Sequence, residues 1–259
     1  PSFYINFEEA QRGVQDYKSV TRDVRRCIDS LKNLSVDGII IDLRNNGGGS
    51  LQEAIDLTGL FIETGPVVQI KSSSGRIEIE KDFDKRIHYD GPLLVLNNSF
   101  TASSSEIFSG ALKDYNRGLI VGESTFGKGT VQNLLDLERF FPKTDLKLGQ
   151  LKITLAKYYR VNGGSTQKIG VEPHIEFPNI YDRDIYTENS RINALEWDKI
   201  RDITYVDINY ITKPLIDHLN SKFIKNVEND SSFINYMSFV NETKKSRENK
   251  TISLNYDIR

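Results

Sequence analysis

Two polar side chains in one short stretch of the chain, Ser103 and Lys128, have the chemistry of a nucleophile and a base. A serine hydroxyl attacks a carbonyl group efficiently only when an adjacent base takes its proton. A lysine can be that base when burial keeps its amine neutral. Lys128 lies between Gly127 and Gly129 and follows Phe126, whose ring would shield the amine from water. The pair therefore predicts acyl-transfer chemistry.

Ser103 and Glu106 form the pattern Ser-x-x-Glu before an apolar run, which is typical of a helix N-terminus. A helix start directs free backbone N–H groups and the positive end of the helix dipole at whatever lies in front of it. An oxyanion beside Ser103 would be stabilised there. On these residues alone two plain alternatives stay open. Ser103 could be a helix cap without chemistry, and Lys128 could be a solvated lysine in a glycine-rich turn.

A phosphate-binding loop is a further interpretation of the Lys128 region. Residues 122–128 have the spacing Gly-x-x-x-x-Gly-Lys and follow the strand-like run Leu119-Ile120-Val121. The next residue is Gly129, where a P-loop carries the Ser or Thr that binds magnesium. The residues after it fit a strand at least as well as the helix that a P-loop requires. A nucleotide hydrolase is therefore kept only as the last alternative.

Four motifs taken together resemble those of the tail-specific, or C-terminal processing, serine proteases of bacteria. They are Asp42-Leu43-Arg44-Asn45-Asn46-Gly47-Gly48-Gly49, Ser103-Ser104-Ser105-Glu106, Thr125-Phe126-Gly127-Lys128-Gly129-Thr130-Val131-Gln132 and Tyr159-Arg160-Val161-Asn162-Gly163-Gly164-Ser165-Thr166-Gln167. Their order and spacing agree with the family through almost the whole chain. One departure is His174, which follows Gly170-Val171-Glu172-Pro173 where the family usually has Asp, and we assign it no catalytic role.

The resemblance implies roles for individual residues. The family's nucleophile matches Ser103, its general base matches Lys128, and the glutamine that positions the lysine matches Gln132. Its oxyanion donors match the backbone N–H groups of Ser104 and Gly49. The implied reaction is endopeptidase cleavage of unfolded or C-terminally marked proteins through an acyl-enzyme, without a metal or an organic cofactor. A peptide-binding module without turnover remains as an alternative of another class.

The organisation of the chain follows from its patterns and from the same resemblance. Alternating strand and helix patterns predict an α/β domain over residues 1–178, and the resemblance makes it a crotonase-like protease core. Glycine is absent after Gly170, and Asp, Asn, Lys and Glu become frequent. These features predict a polar, mostly helical segment over residues 179–259. The resemblance makes it the C-terminal extension of the longer family members, which we expect to be incomplete at its end. The family carries a peptide-binding PDZ domain before the segment that matches Pro1, so we expect that domain in the full-length protein and not here.

The net charge restricts the classes of binding partner that we expect for this chain. Thirty-four Lys and Arg residues against 36 Asp and Glu give a net charge of −2, so nothing favours a nucleic acid or an anionic membrane. A single cysteine, Cys27, excludes an internal disulfide, and we expect it to be buried on a helix face. The resemblance implies protein or peptide substrates and a periplasmic location, although the chain shows no signal peptide, and it allows for an adaptor lipoprotein.

The elements that carry the motifs can be placed by pattern. A buried strand over residues 38–43 leads into the glycine loop at 45–49, which opens a helix over 51–62. Another buried strand, over residues 93–96, leads directly to the helix that begins near Ser103. In the extension we expect helices over residues 193–200, 213–227 and 232–245 and a short strand over residues 252–256.

Overall fold

Two four-stranded sheets, one parallel and one antiparallel, form the centre of the computed structural model, which describes residues 2–141, 146–248, 251 and 253–255. The helices are α1 Phe7–Gln11, α2 Val20–Asn33, α3 Leu51–Gly59, α4 Ser104–Asp114, α5 Arg183–Tyr186, α6 Lys213–Val227 and α7 Ser231–Glu248. The strands are β1 Ile39–Asp42, β2 Gly65–Ser72, β3 Ile77–Asp82, β4 Leu93–Asn97, β5 Leu119–Gly122, β6 Thr130–Asp136, β7 Gln150–Tyr159 and β8 Ile175–Glu176. The expected α/β class is confirmed.

The parallel sheet brings the three candidate segments to one place. Its strand order is β1-β4-β5-β8, and each neighbouring pair runs parallel. The glycine loop follows β1, the Ser103 segment follows β4 and the Lys128 loop follows β5. Because the carboxyl ends of parallel strands lie at one edge of the sheet, all three segments leave from that edge. Sites in such sheets are built there.

The antiparallel sheet has the order β3-β2-β7-β6, so β6 is an edge strand that begins directly after the Lys128 loop. Its pairing with β7 shifts register between Val131 and Gln132. The segment after Lys128 is thus a strand and not a helix. The P-loop interpretation is wrong, because the residues after Lys128 form β6 and not the helix whose N-terminus would bind the phosphates.

Helix α4 is held in the centre of the fold. Residues 104–112 are all buried, and the ring of Phe108 lies 6.0 Å from Phe61 and 6.2 Å from Phe3 between ring centroids. Such close packing leaves a helix little freedom to shift. The position of Ser103 at its start is therefore fixed by the main hydrophobic core.

The C-terminal extension is helical as predicted, with exceptions. The predictions over residues 213–227 and 232–245 are confirmed by α6 and α7. The helix predicted over 193–200 is wrong, since this segment instead hydrogen-bonds to the core, for example from Ile200 N–H to the Gly163 carbonyl at 2.9 Å. The strand predicted over 252–256 lies partly outside the described residues. No helix in the described ranges combines the length and the apolar character needed to cross a bilayer.

Two burial predictions are also wrong. Strand β1 is an edge strand, so its Ile40 is 64% exposed although the unbroken apolar run predicted full burial. Cys27 is exposed on α2, because that helix buries the face carrying Ile28.

Candidate active site

Ser103 is the N-cap of α4 and has φ 61° and ψ −121°, outside the regions that non-glycine residues favour. Its backbone N–H donates to Oε2 of Glu106 at 2.7 Å. The prediction of a helix start at Ser103 is thus confirmed. Backbone conformations of this kind cost free energy and concentrate at functional sites, where the surrounding structure enforces them.

The glycine loop lies directly against the Ser103 segment. A Cβ on Gly48, which has φ +90°, would lie 2.8 Å from Ser103 Cβ and 2.8 Å from the backbone nitrogen of Ser104. Only glycine therefore allows this approach. The loop is tied in place by the Asn46 carbonyl, which accepts the N–H of Ala102 at 3.0 Å.

Two backbone donors in these segments are available to a ligand. The N–H groups of Ser104 and Gly49 donate no hydrogen bond to any residue in the part of the chain that the structure describes. The two residues are joined to each other, because Ser104 Oγ donates to the Gly49 carbonyl at 2.9 Å. An oxyanion site requires such donors to point at one position beside the nucleophile, and the assignment of these two N–H groups stays a prediction.

A single buried carboxylate links Ser103 to the Lys128 loop. Glu106 has no exposed surface. Its Oε2 accepts the N–H of Ser103 at 2.7 Å and the N–H of Lys128 at 3.0 Å. Its Oε1 accepts the hydroxyl of Thr125 at 2.6 Å and the N–H of Gly127 at 2.7 Å. The sequence pattern indicated only the bond to Ser103, and the three bonds to the loop could not be read from it.

Burial raises the pKa of Glu106 to about 7, against the opposing effect of the four donors that point at it. Each of those groups offers a proton, so the arrangement is complementary to the ionised carboxylate and not to the neutral acid. Glu106 thus works as an acceptor that draws two chain segments together.

Tyr158 forms a second link between the same residues. Its hydroxyl donates to the carbonyl oxygen of Lys128 and lies 3.3 Å from that of Ser103. Its side chain is buried at the end of β7. The sequence analysis missed this residue; the one available signal is its position immediately before the motif that starts at Tyr159.

Lys128 is half-buried, and burial is the main cause that lowers its pKa. The positive charge of Lys152 lowers it further, whereas Glu188 and Glu106 oppose the shift. This is the direction that a lysine base requires. Within the described residues its amine makes no hydrogen bond with the Ser103 hydroxyl, so the structure brings the two backbones together but not the two reactive atoms.

Gln132 is not brought to Lys128. It is exposed on β6, and its amide donates to the Thr154 hydroxyl at 3.5 Å. His174 directly precedes β8 and bonds to β5, so it is not part of the site. Its Nδ1 accepts the N–H of Ile120 at 3.0 Å, and burial lowers its pKa to about 4.

Sequence comparison identifies the family of the chain. The profile of peptidase family S41 matches residues 4–177, and the profile of the C-terminal domain of tail specific protease matches residues 181–259. The first profile covers more than half of the chain and includes Ser103, Lys128 and Gln132.

Known proteins are similar over the same ranges. The tail-specific protease of Haemophilus influenzae is 42% identical over 100% of the chain, which spans 36% of that protein. The chloroplastic C-terminal processing peptidase of Tetradesmus obliquus is 34% identical over 64% of the chain and 34% of its own length. A solved structure of the photosystem II D1 C-terminal processing protease is 36% identical, with a TM-score of 0.53 over 61% of the chain and 38% of that protein. The chain thus spans about a third of these relatives, and it belongs to peptidase family S41.

Proposed function

We propose that this chain carries the catalytic centre of a serine endopeptidase that works through a Ser-Lys dyad, with Ser103 as nucleophile and Lys128 as general base. The observation that supports this proposal most directly is the single oxygen, Glu106 Oε2, that accepts the backbone N–H of both residues. This shared acceptor holds the two backbones close to each other. In the proposal, rotation about side-chain torsions brings the lysine amine to the serine hydroxyl.

The reaction follows from these positions. Neutral Lys128 takes the hydroxyl proton while Ser103 Oγ bonds to the carbonyl carbon of the peptide. The oxyanion accepts the N–H groups of Ser104 and Gly49. Protonated Lys128 then gives its proton to the leaving amine as the C–N bond breaks. Water attacks the resulting ester by the same steps in reverse, which frees Ser103 and completes hydrolysis.

In this proposal Gln132 orients the amine of Lys128 when a peptide is bound. Its side-chain amide can donate and accept without titrating. Its place on the exposed edge strand β6, four residues after Lys128, allows the side chain to turn from Thr154 towards the base.

The proposed substrates and location rest on the resemblance to the tail-specific proteases. We propose unfolded or C-terminally marked proteins, cleaved in the periplasm by a longer protein that also carries a PDZ domain and is open to an adaptor lipoprotein. Residues 1–178 would be the catalytic core of that protein and residues 179–259 the start of its C-terminal extension. The similarity to a tail-specific protease over both parts supports this assignment.

Covalent labelling tests the nucleophile directly. A fluorophosphonate probe should form a stoichiometric adduct that peptide mapping places on Ser103, and Lys128→Ala should slow the labelling strongly, since the base is needed to activate the hydroxyl. Labelling at another serine would contradict the assignment. Peptide binding without labelling or cleavage would favour the non-catalytic peptide-binding module.

The pH dependence of cleavage reports the base. We expect kcat/KM to rise with pH through an acidic limb that lies below the ordinary lysine pKa of about 10.4, because burial lowers the pKa of Lys128 and only the neutral amine accepts a proton. Gln132→Ala should lower the rate and keep the shape of the profile. His174→Ala is the control. If that variant abolished the limb, histidine and not lysine would be the base.

A further inference from the structure

Arg183, in the C-terminal extension, hydrogen-bonds to the chain segments around Lys128. Its guanidinium donates to the carbonyl oxygens of Ser124 and Thr125, both at 2.7 Å, and to those of Lys168 at 3.2 Å and Ile169 at 3.0 Å. A planar fork of five donors suits such a set of carbonyl groups, whereas a lysine ammonium does not. The side chain therefore joins the start of the Lys128 loop to residues 168–169.

Glu188, five residues after Arg183, contacts the other end of the same loop. Its backbone N–H donates to the Phe126 carbonyl at 3.1 Å. Its carboxylate accepts the amide of Gln167 at 3.0 Å, and the amide oxygen of Gln167 accepts the N–H of Gly129 at 2.8 Å. Contacts from Glu188 thus reach the residues on both sides of Lys128.

The segment between these two residues is itself fixed. Thr187 has no exposed surface, and its hydroxyl donates to the Arg183 carbonyl at 2.6 Å. We call residues 182–190 the strap. The Lys128 loop lies between Glu106, which binds its N–H groups, and the strap, which binds the carbonyl groups of residues 124–126.

We propose that the strap is a positioning device for the catalytic lysine, in which Arg183 and Glu188 of the C-terminal extension hold the Lys128 loop where its amine can reach Ser103. The proposal rests on the dyad described above and adds a dependence of the core on the extension. Neither residue touches the reacting atoms. They act through the loop, and the charge of Glu188 also acts on the Lys128 amine. The loss of the contacts made by either residue should therefore reduce turnover more than substrate binding.

Arg183→Met keeps the apolar stem and removes every donor. We expect kcat to fall about 10- to 100-fold with KM changed much less, because a displacement of about 1 Å at a catalytic group can cost that much. Arg183→Lys should recover little, since an ammonium group cannot span four carbonyl groups. Arg191→Met is the matched control, because Arg191 is an exposed arginine just beyond the strap. It should leave kcat unchanged.

Glu188→Gln removes the charge of Glu188 but should leave the Lys128 loop in position. The glutamine oxygen can still accept from Gln167, so the loop should stay in place. The charges that act on the Lys128 amine are those of Lys152 on β7, Glu106 on α4 and Glu188. Without the negative charge of Glu188, the ammonium form loses a stabilising partner. The acidic limb of the pH–rate profile should therefore move to lower pH while the plateau rate is retained.

Amide hydrogen exchange of residues 124–129 in the full-length protein tests whether the strap holds the Lys128 loop, independently of any activity measurement. Arg183→Met should raise exchange there at least about tenfold if the loop opens locally, and Arg191→Met should not. Unchanged exchange in Arg183→Met would overturn the strap proposal even if the dyad is right. If exchange rises but Lys128→Ala keeps full activity, the dyad is wrong and the strap is only a structural clamp.

Discussion

Ser103→Ala and Lys128→Ala should each abolish peptide cleavage, with a loss on the order of 10⁴-fold or more, and the double variant should lose no more than either alone. Because nucleophile and base act in the same step, removing one of them makes the other ineffective. The measurement is kcat/KM on an unfolded protein substrate, using the full-length protein carrying each variant.

Folding should survive both changes. Alanine at position 103 keeps the backbone N–H that Glu106 accepts, and Lys128 also contacts Glu106 through its backbone. Circular dichroism and denaturant midpoints are thus the controls. Near-normal turnover in Lys128→Ala would contradict the dyad, and additive losses would mean that the two residues act in separate steps.

Glu106→Gln should also reduce turnover strongly, although Glu106 takes no part in the proposed chemistry. The buried carboxylate accepts four donors from Ser103, Thr125, Gly127 and Lys128. An amide presents one oxygen and one NH₂ group, so at least one buried N–H would face another donor. Each orphaned donor costs about 1–3 kcal/mol, and the displaced loop would move the lysine away from Ser103.

The expected results are a lower free energy of unfolding and a fall in kcat of about 100-fold or more. Glu123→Gln is a matched control. Glu123 follows β5, and its Oε2 accepts both the N–H of Ser99 at 2.9 Å and the Ser99 hydroxyl at 2.7 Å. One amide oxygen can replace that single acceptor. Full activity in Glu106→Gln would show that the two loops hold their positions without the carboxylate.

The sequence was sufficient for features that depend on local pattern. The strand that leads to Ser103, the helix start at Ser103 and the helices over 213–227 and 232–245 arise from apolar spacing and capping residues within one segment. The glycine loop meets Ser103 only because β1 pairs in parallel with β4, and this pairing of remote residues could not be read from either segment alone.

What could not be predicted depends on partners that are remote in the chain. The role of Glu106 requires knowledge that residues 125–128 fold back on it, and the role of Arg183 requires contacts with residues 124 and 168, which no periodicity encodes. The helix predicted over 193–200 failed for the same reason. Its residues satisfy their backbone groups against the Gly163 turn, and this tertiary pairing outweighs a modest helical propensity.

The positive φ of Ser103 affects the choice of an inactive variant for capturing substrates. Conformations of this kind cost about 1–3 kcal/mol for a residue with a Cβ, whereas glycine adopts positive φ readily. Ser103→Gly would remove the nucleophile and the strain together. The inactive protein could then be more stable than the active one, which is a trade between activity and stability located at a single residue. Such a variant would be a better bait than Ser103→Ala for isolating bound substrates.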